Sequence, residues 1–287
     1  MRDDAAAPAR RQPGSSPPAA PARRRPGSSP PAAPARRRPG SSPPEPRPRG
    51  ARTRSAPPAI EARLRDDPPP RRVAAVLRRL ERLYPDAGCT LDFRDPFELY
   101  VATVLSAQCT DERVNRVTPA LFARFPDAGA LAGAGRAEVE ALIRPTGFFR
   151  NKARSIQEAA RRMVAVYGGQ VPATLEELLT LPGAGRKTAL VILGNAFATP
   201  GITVDTHVKR VARRLGWTRE SDPVRIEREL ARRLPPAEWT AVSHRLIAHG
   251  RTVCRARAPQ CPSCGLRPLC PAAGDQPPPA RSRGSSR

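Results

Sequence analysis

Residues 181–190 read LPGAGRKTAL and contain one of the three lysines in a chain of 50 lysines and arginines. Apolar residues on both sides, in ATLEELLTL and KTALVILGNAF, are spaced as in short helices. The pattern predicts two helices joined by the tight turn PGAG, where Gly183 and Gly185 permit positive φ or a close approach of the backbone. Unpaired amides at the start of the second helix would suit one phosphate. Taken alone, such a turn is more often an ordinary helix connection with a glycine C-cap.

Lys187 opens the second of these helices. An arginine stays protonated at any working pH, whereas a lysine amine can lose its proton when it is desolvated or placed beside positive charge. A deprotonated amine can then attack carbon. The choice of lysine in an arginine-rich chain therefore marks Lys187 as a candidate nucleophile.

The apolar residues keep helical spacing from residue 71 onward, and no stretch alternates over the length of a strand. The sequence therefore predicts an all-α fold. In it, Asp95 is the N-cap of one helix, with Pro96 in its first turn, and Thr206 caps another. The predicted helices lie at about 73–83, 96–108, 111–124, 136–143, 152–167, 174–180, 187–197, 206–215, 223–234 and 237–250.

The first seventy residues differ in composition from the rest of the chain. They contain a thirteen-residue repeat, first seen as PARRQPGSSPPAA from Pro8, and almost no large apolar residues. Such a segment has too little to bury to offset the entropy of ordering, so we expect residues 1–70 to be a disordered basic arm. We expect residues 272–287 to form a disordered tail.

Positive charge is not confined to the arm, because residues 73–287 carry 33 basic and 20 acidic residues, a balance of +13. This balance favours a polyanion such as nucleic acid as the partner, bound more weakly as salt rises. The sequence has no run of eighteen apolar residues and no apolar secretory core near its start, so we expect no membrane span. We expect a cytoplasmic location, associated with the nucleoid.

Four cysteines near the end follow the spacing C-x6-C-x2-C-x5-C. In a chain without a secretion signal, four thiols within seventeen residues favour a metal site over disulfides. From the residues alone, structural zinc is the first expectation. Cys89 and Cys109 lie outside this set and are expected to pack in the interior.

The order L-P-G-x-G-x-K-T resembles the helix-hairpin-helix DNA glycosylases, and more closely the endonuclease III family, over about Val73 to Cys270. The resemblance implies two all-α domains with a DNA cleft between them. One is a six-helix domain at 89–199, and the other is a cluster domain formed by 71–88 and 200–271. It also implies that the metal group is a [4Fe-4S] cluster. Its ligands would be Cys254, Cys261, Cys264 and Cys270.

The same resemblance implies a reaction. Asp205, in GITVDTHVKRVARRLG, would face Lys187 across a pocket, although from the residues alone it could simply complement a helix N-terminus. A damaged base is turned out of the duplex, and Lys187 attacks its sugar carbon as the base leaves. Asp205 stabilises positive charge on the sugar or moves protons. β-Elimination of the Schiff base then cuts the strand on the 3′ side.

Two further residues are implied to contact DNA. Gln108, in LSAQCTDERVN, could be no more than a polar helix end, but the family places this glutamine beside the gap left by the extruded base. Phe148, in TGFFRNKA, stands where the family usually has a leucine, and either side chain suits an apolar wedge. Gly183 and Gly185 would contact a phosphate.

The predicted function is therefore that of a bifunctional DNA glycosylase and apurinic/apyrimidinic lyase. Its substrates would be oxidised or ring-fragmented pyrimidines and abasic sites in double-stranded DNA, and we expect the protein to act as a monomer. Two alternatives stay open: a glycosylase of the same superfamily that only removes the base, and a non-catalytic DNA-binding protein with a zinc site. Lys187 weighs against the first.

Overall fold

The computed structural model describes residues 68–275, and within this range it contains helices and no β-strand. The predicted all-α class is confirmed. Most of the predicted arm and tail lies outside the described residues. The helices are α1 (Pro70–Leu83), α2 (Pro96–Leu105), α3 (Asp111–Arg124), α4 (Ala128–Gly133), α5 (Arg136–Ile143), α6 (Phe149–Tyr167), α7 (Leu175–Leu178), α8 (Arg186–Ala196), α9 (Thr206–Arg214), α10 (Pro223–Arg233) and α11 (Trp239–Thr252).

Side-chain caps fix where several of these helices begin. The Asp95 carboxylate accepts a hydrogen bond from the Glu98 amide, as the sequence predicts for α2. At α9 the prediction is wrong, because the cap is Asp205 and Thr206 is the first helical residue. Short 3₁₀ helices occupy Arg144–Thr146, Pro236–Glu238, Cys261–Ser263, Arg267–Leu269 and Pro271–Asp275.

Several helix boundaries depart from the prediction, and one helix is missing from it. Helix α2 ends at Leu105 instead of Gln108, and α6 begins at Phe149, three residues early. Helix α4 is missing from the prediction because its sequence, AGALAG, is too short and too small-sided to show an apolar stripe. Asp127, which caps α4 by accepting from the Ala130 amide, is the feature that could have indicated it.

Buried apolar side chains form two clusters. The first runs from Leu91 to Leu193 and is built by α2 to α8. The second combines α1 with residues 202–266, and the fully buried Trp217 is its largest side chain. The two clusters support the division into a six-helix domain and a cluster domain, which stays a prediction. None of the described helices is both long enough and apolar enough to span a bilayer.

Candidate active site

A cavity of about 200 Å³ is lined by residues from both halves of the described structure. Val191, which packs on the first cluster, and Ile247, which packs on the second, both line its wall. Lys187 and Asp205 line the same cavity. The structure thus brings together the two residues that the sequence predicts to act as a pair.

Lys187 lies in the first turn of α8, and its side chain is exposed. Within the described residues, its amine makes no hydrogen bond and no ion pair. Arg186, its neighbour, is by contrast fully engaged, because its guanidinium donates to both carboxylate oxygens of Glu227 at 2.8 and 2.7 Å. The Lys187 amine is therefore free to meet a ligand that enters the cavity.

Asp205 is half-buried at the start of α9. Its Oδ1 accepts from the amides of His207 and Val208 at 2.8 and 2.7 Å, which fixes the side chain. The positive end of the helix dipole also favours a carboxylate at this position. Because Oδ1 takes both bonds, Oδ2 has no hydrogen bond within the described residues and remains available.

Other polar groups of the cavity are absent from the sequence prediction. The Asp111 carboxylate accepts from the Thr90 hydroxyl at 2.6 Å and pairs with Arg251 of α11 at 3.1 Å. His244 Nε2 lies 2.9 Å from Asn195 Oδ1, and burial lowers the pKa of this histidine, so its ring is neutral near pH 7. These contacts join distant parts of the chain, and no local pattern marks them.

The hairpin between α7 and α8 is fixed by a buried hydroxyl and one glycine. Tyr100 donates a hydrogen bond to the Pro182 carbonyl at 2.6 Å. Gly183 has a φ of +89°, and a Cβ there would lie 3.1 Å from the Ser155 Cβ. The positive φ and the close approach both favour glycine at this position. At Gly185 neither applies, because φ is −86° and the space around it is open. Gly185 caps α8 without a side chain, which leaves first-turn amides unpaired.

Gln108 and Phe148 lie in two loops and share an unusual backbone conformation. Their φ angles are 54° and 47°, in the left-handed region that residues with side chains rarely adopt. Both residues are exposed, and Phe148 leaves 65% of its surface in solvent. The predicted wedge turn is shorter than its motif suggests, since residues 149–153 already belong to α6.

Two of the four C-terminal cysteines, Cys254 and Cys270, contact Arg214, at the end of α9. Arg214 Nη1 lies 3.2 Å from the Cys254 sulfur and donates to the Arg255 carbonyl at 2.8 Å. The Cys270 sulfur is 3.4 Å from the Arg214 carbonyl. None of these four cysteines forms a disulfide, and all four are half-buried. The guanidinium therefore holds the segment that leads from α11 to the other three cysteines.

The environment of these sulfurs fits thiolate ligands of a metal group. Burial, with a contribution from Cys254, raises the pKa values of Cys261 and Cys264, and raises that of Cys270 to about 11. Thiols in such a setting ionise when a metal binds them. Within residues 68–275, no three His, Cys, Asp or Glu side chains are close enough to hold one ion.

Comparison with known proteins assigns a family. The HhH-GPD superfamily of base excision DNA repair proteins matches residues 101–236. Endonuclease III of Synechocystis sp. is 57% identical over 203 residues, which make up 70% of this chain and 93% of that protein. Two solved structures also match: a non-covalent endonuclease III–DNA complex and a trapped endonuclease III–DNA covalent intermediate. Each is 43% identical to this chain, with a TM-score of 0.68, over 71% of this chain. The matches cover 96% and 97% of those two chains. The chain therefore belongs to the endonuclease III family of base excision repair DNA glycosylases.

Proposed function

We propose that this protein is a bifunctional DNA glycosylase and apurinic/apyrimidinic lyase in which Lys187 is the nucleophile and Asp205 its anionic partner. The observation that carries the proposal is the sharing of one cavity by an unpaired lysine amine and a helix-capping carboxylate. The two side chains come from α8 and α9, on either side of the boundary between the two apolar clusters.

The proposed reaction begins when the neutral amine of Lys187 attacks C1′ of the damaged nucleotide. The bond from C1′ to the base breaks, and its electron pair leaves with the base, which takes up a proton. The Asp205 carboxylate stabilises the positive charge that develops on the sugar. Because Asp205 is held by two backbone amides, it needs no rearrangement to act there.

Ring opening then breaks the C1′–O4′ bond, O4′ takes up the proton lost from nitrogen, and a protonated Schiff base forms between Lys187 and C1′. Removal of a proton from C2′ drives β-elimination, in which the C3′–O bond breaks and the 3′ phosphate leaves. Water hydrolyses the imine and frees the lysine. A residue able to form this imine is what separates a lyase from a glycosylase that only removes the base, so Lys187 supports the bifunctional reading.

Duplex DNA containing damaged bases or abasic sites is the proposed substrate. A cavity of about 200 Å³ is smaller than ordinary small-molecule pockets of roughly 300–1,000 Å³, and this size suits a single extruded base. We propose oxidised or ring-fragmented pyrimidines. The similarity to endonuclease III–DNA structures supports a DNA partner, and the net charge of +24 supports a location on the nucleoid. Since one chain supplies both residues, we propose a monomer.

The two strained loops support base extrusion. Left-handed φ angles at Gln108 and Phe148 are tolerated only where a structure over-determines them, and such strain clusters at functional sites. In the proposed complex, Phe148 enters the stack as an apolar wedge and Gln108 hydrogen-bonds to the orphaned partner base. Unpaired amides beside Gly185, with Gly183 shaping the turn, bind a backbone phosphate.

We further propose that the four cysteines hold a [4Fe-4S] cluster, whose chemistry when bound is to cross-link the C-terminal segment through four iron–thiolate bonds. Arg214 would orient that segment, and Leu266 anchors it in the second apolar cluster. The purified protein should be brown, absorb at about 400 nm and contain about four irons per chain. Stoichiometric zinc from an iron-replete preparation would contradict this assignment.

The decisive experiment compares wild type, Lys187→Gln and a control, Lys209→Gln, on thymine-glycol, uracil and abasic duplexes. We expect wild type and the control to nick thymine-glycol and abasic DNA and to form a covalent adduct with borohydride. Lys187→Gln should still bind these duplexes but neither cleave nor trap. Undiminished trapping in Lys187→Gln would move the nucleophile elsewhere. Base removal without cleavage by wild type would favour the monofunctional alternative, and binding without turnover would favour the non-catalytic one.

A further inference from the structure

Lys152, on α6, is a buried lysine whose amine contacts no acidic side chain. Only 6% of the residue is exposed, yet its Nζ donates to the carbonyls of Leu105 and Thr146, both at 2.8 Å. Within the described residues, these two carbonyls are its hydrogen-bond partners, and no carboxylate pairs with it. Burial lowers the pKa of the amine, and the neighbouring Cys109 opposes this effect.

The two carbonyls stand at the bases of the two strained loops. Leu105 is the last residue of α2, and Gln108 follows it by three positions. Thr146 is separated from Phe148 only by Gly147, which itself has a φ of 69°. The backbone amide of Lys152 also donates to the Phe148 carbonyl at 3.1 Å. One residue therefore contacts both loops close to their exposed tips.

An ammonium group suits this position for electrostatic reasons. The carbonyl of Leu105 lies at the C-terminal end of α2, where the last carbonyls lack helical partners and the dipole favours a cation. A compact ammonium can approach two converging carbonyls, whereas a planar guanidinium is bulkier and donates in a fixed fork. A methionine would fill the space but would leave both carbonyls without a donor.

We propose that Lys152 is a positioning residue that holds the loops of Gln108 and Phe148 at one fixed separation, so that both side chains enter the duplex together. The inference rests on the proposed function. Each left-handed residue is stable only while its surroundings fix it, and Lys152 is the group that fixes both loops at once. Loss of the link lets either loop relax without the other.

The test uses the full-length protein and its Lys152→Met variant. Schiff-base trapping is measured on an abasic site within a duplex and within a single strand, which has no stack to open. We expect Lys152→Met to slow trapping on the duplex by about 10- to 100-fold and to leave the single strand within about threefold of wild type. The matched control is Lys209→Met, since Lys209 also donates to a backbone carbonyl, that of Ser221, but lies on α9. It should leave both rates unchanged.

Two further variants separate positioning from folding. If Lys152 acts through the two loops, combining Lys152→Met with Phe148→Ala should slow the duplex reaction by less than the product of the two single effects, because part of the Lys152→Met loss passes through Phe148. Lys152→Arg retains the charge but displaces the loops, so it should show the same duplex-selective loss, and it decides the question if Lys152→Met does not fold. Equal losses on both DNA forms, or additive losses in the double variant, would overturn the inference. Failure of wild type to trap either DNA would instead overturn the proposed function.

Discussion

Asp205 combines a structural and a proposed chemical role, and two substitutions separate them. Asp205→Asn keeps an oxygen that can accept from the amides of His207 and Val208 but removes the charge. We expect its melting temperature to stay close to that of wild type and its rate of base removal to fall by about tenfold or more, the equivalent of about 1.4 kcal/mol. Asp205→Ala should lose the same activity and, in addition, about 1 kcal/mol of stability.

Thr206→Ala serves as the control for this pair. Thr206 is exposed and is the first residue of α9 instead of its cap, so its loss should cost less than about 0.5 kcal/mol and should not change the rate. Thermal unfolding and single-turnover base release measure the two properties separately. If Asp205→Asn removed the base as fast as wild type, the carboxylate would be a helix cap and nothing more.

Residues that lie beside a local motif were predictable, and residues joined by distant contacts were not. Lys187 follows a glycine turn and Asp205 precedes a helix, so each stands out in the sequence itself. Arg251 and Asp111, in contrast, are 140 positions apart and meet only in the folded chain. No sequence period links α11 to the start of α3, which explains why this ion pair could not be predicted.

At the scale of the elements, the hairpin before α8 gives a matched pair of glycine substitutions. Gly183→Ala combines a positive φ with a 3.1 Å approach to the Ser155 Cβ, so we expect it to cost about 1–3 kcal/mol of folding free energy. Gly185→Ala has neither problem and should change stability by less than about 1 kcal/mol. Its methyl group would instead stand where the proposed phosphate approaches the unpaired amides of α8.

The two variants should therefore impair different properties, stability in one and DNA affinity in the other. Denaturant unfolding should identify Gly183→Ala as the unstable one, and duplex affinity, measured at several salt concentrations, should identify Gly185→Ala as the weak binder. Equal affinity of Gly185→Ala and wild type at every salt concentration would show that α8 binds no phosphate at this end. Tyr100, whose hydroxyl donates to the Pro182 carbonyl, is unchanged in both variants, so we expect it to keep the hairpin in place.

Helices with long apolar stripes were predictable, whereas their ends near the loops were not. The predicted limits of α3 and α5 coincide with those observed, because the apolar residues mark both helices and the Thr110 side chain also caps α3. Helix α2 stops three residues early because Leu105 gives its carbonyl to the Lys152 amine and Gln108 turns into the left-handed region. This competition from a residue 47 positions away is invisible to local propensity.

At the scale of the whole molecule, a bidentate ion pair connects the two halves that line the candidate active site. Arg186 of α8 contacts Glu227 of α10, and their side chains are 38% and 16% exposed. Helix α8 packs in the first apolar cluster and α10 in the second. The pair therefore stabilises the relative placement of Lys187, next to Arg186, and Asp205 on the far side of the cavity.

Glu227→Gln tests this link. It leaves the partly buried Arg186 without its carboxylate, so we expect a loss of about 1 kcal/mol, seen as a fall in melting temperature of about 2–4 °C. We also expect slower cleavage, because the two proposed catalytic side chains, Lys187 and Asp205, are held less firmly across the cavity. Glu138→Gln is the matched control: it breaks the more exposed pair with Arg124, which joins α5 to α3, and should cost less than about 0.5 kcal/mol without changing the rate. If both variants cleave at the wild-type rate, the Arg186–Glu227 pair stabilises the fold but does not set the geometry of the cavity.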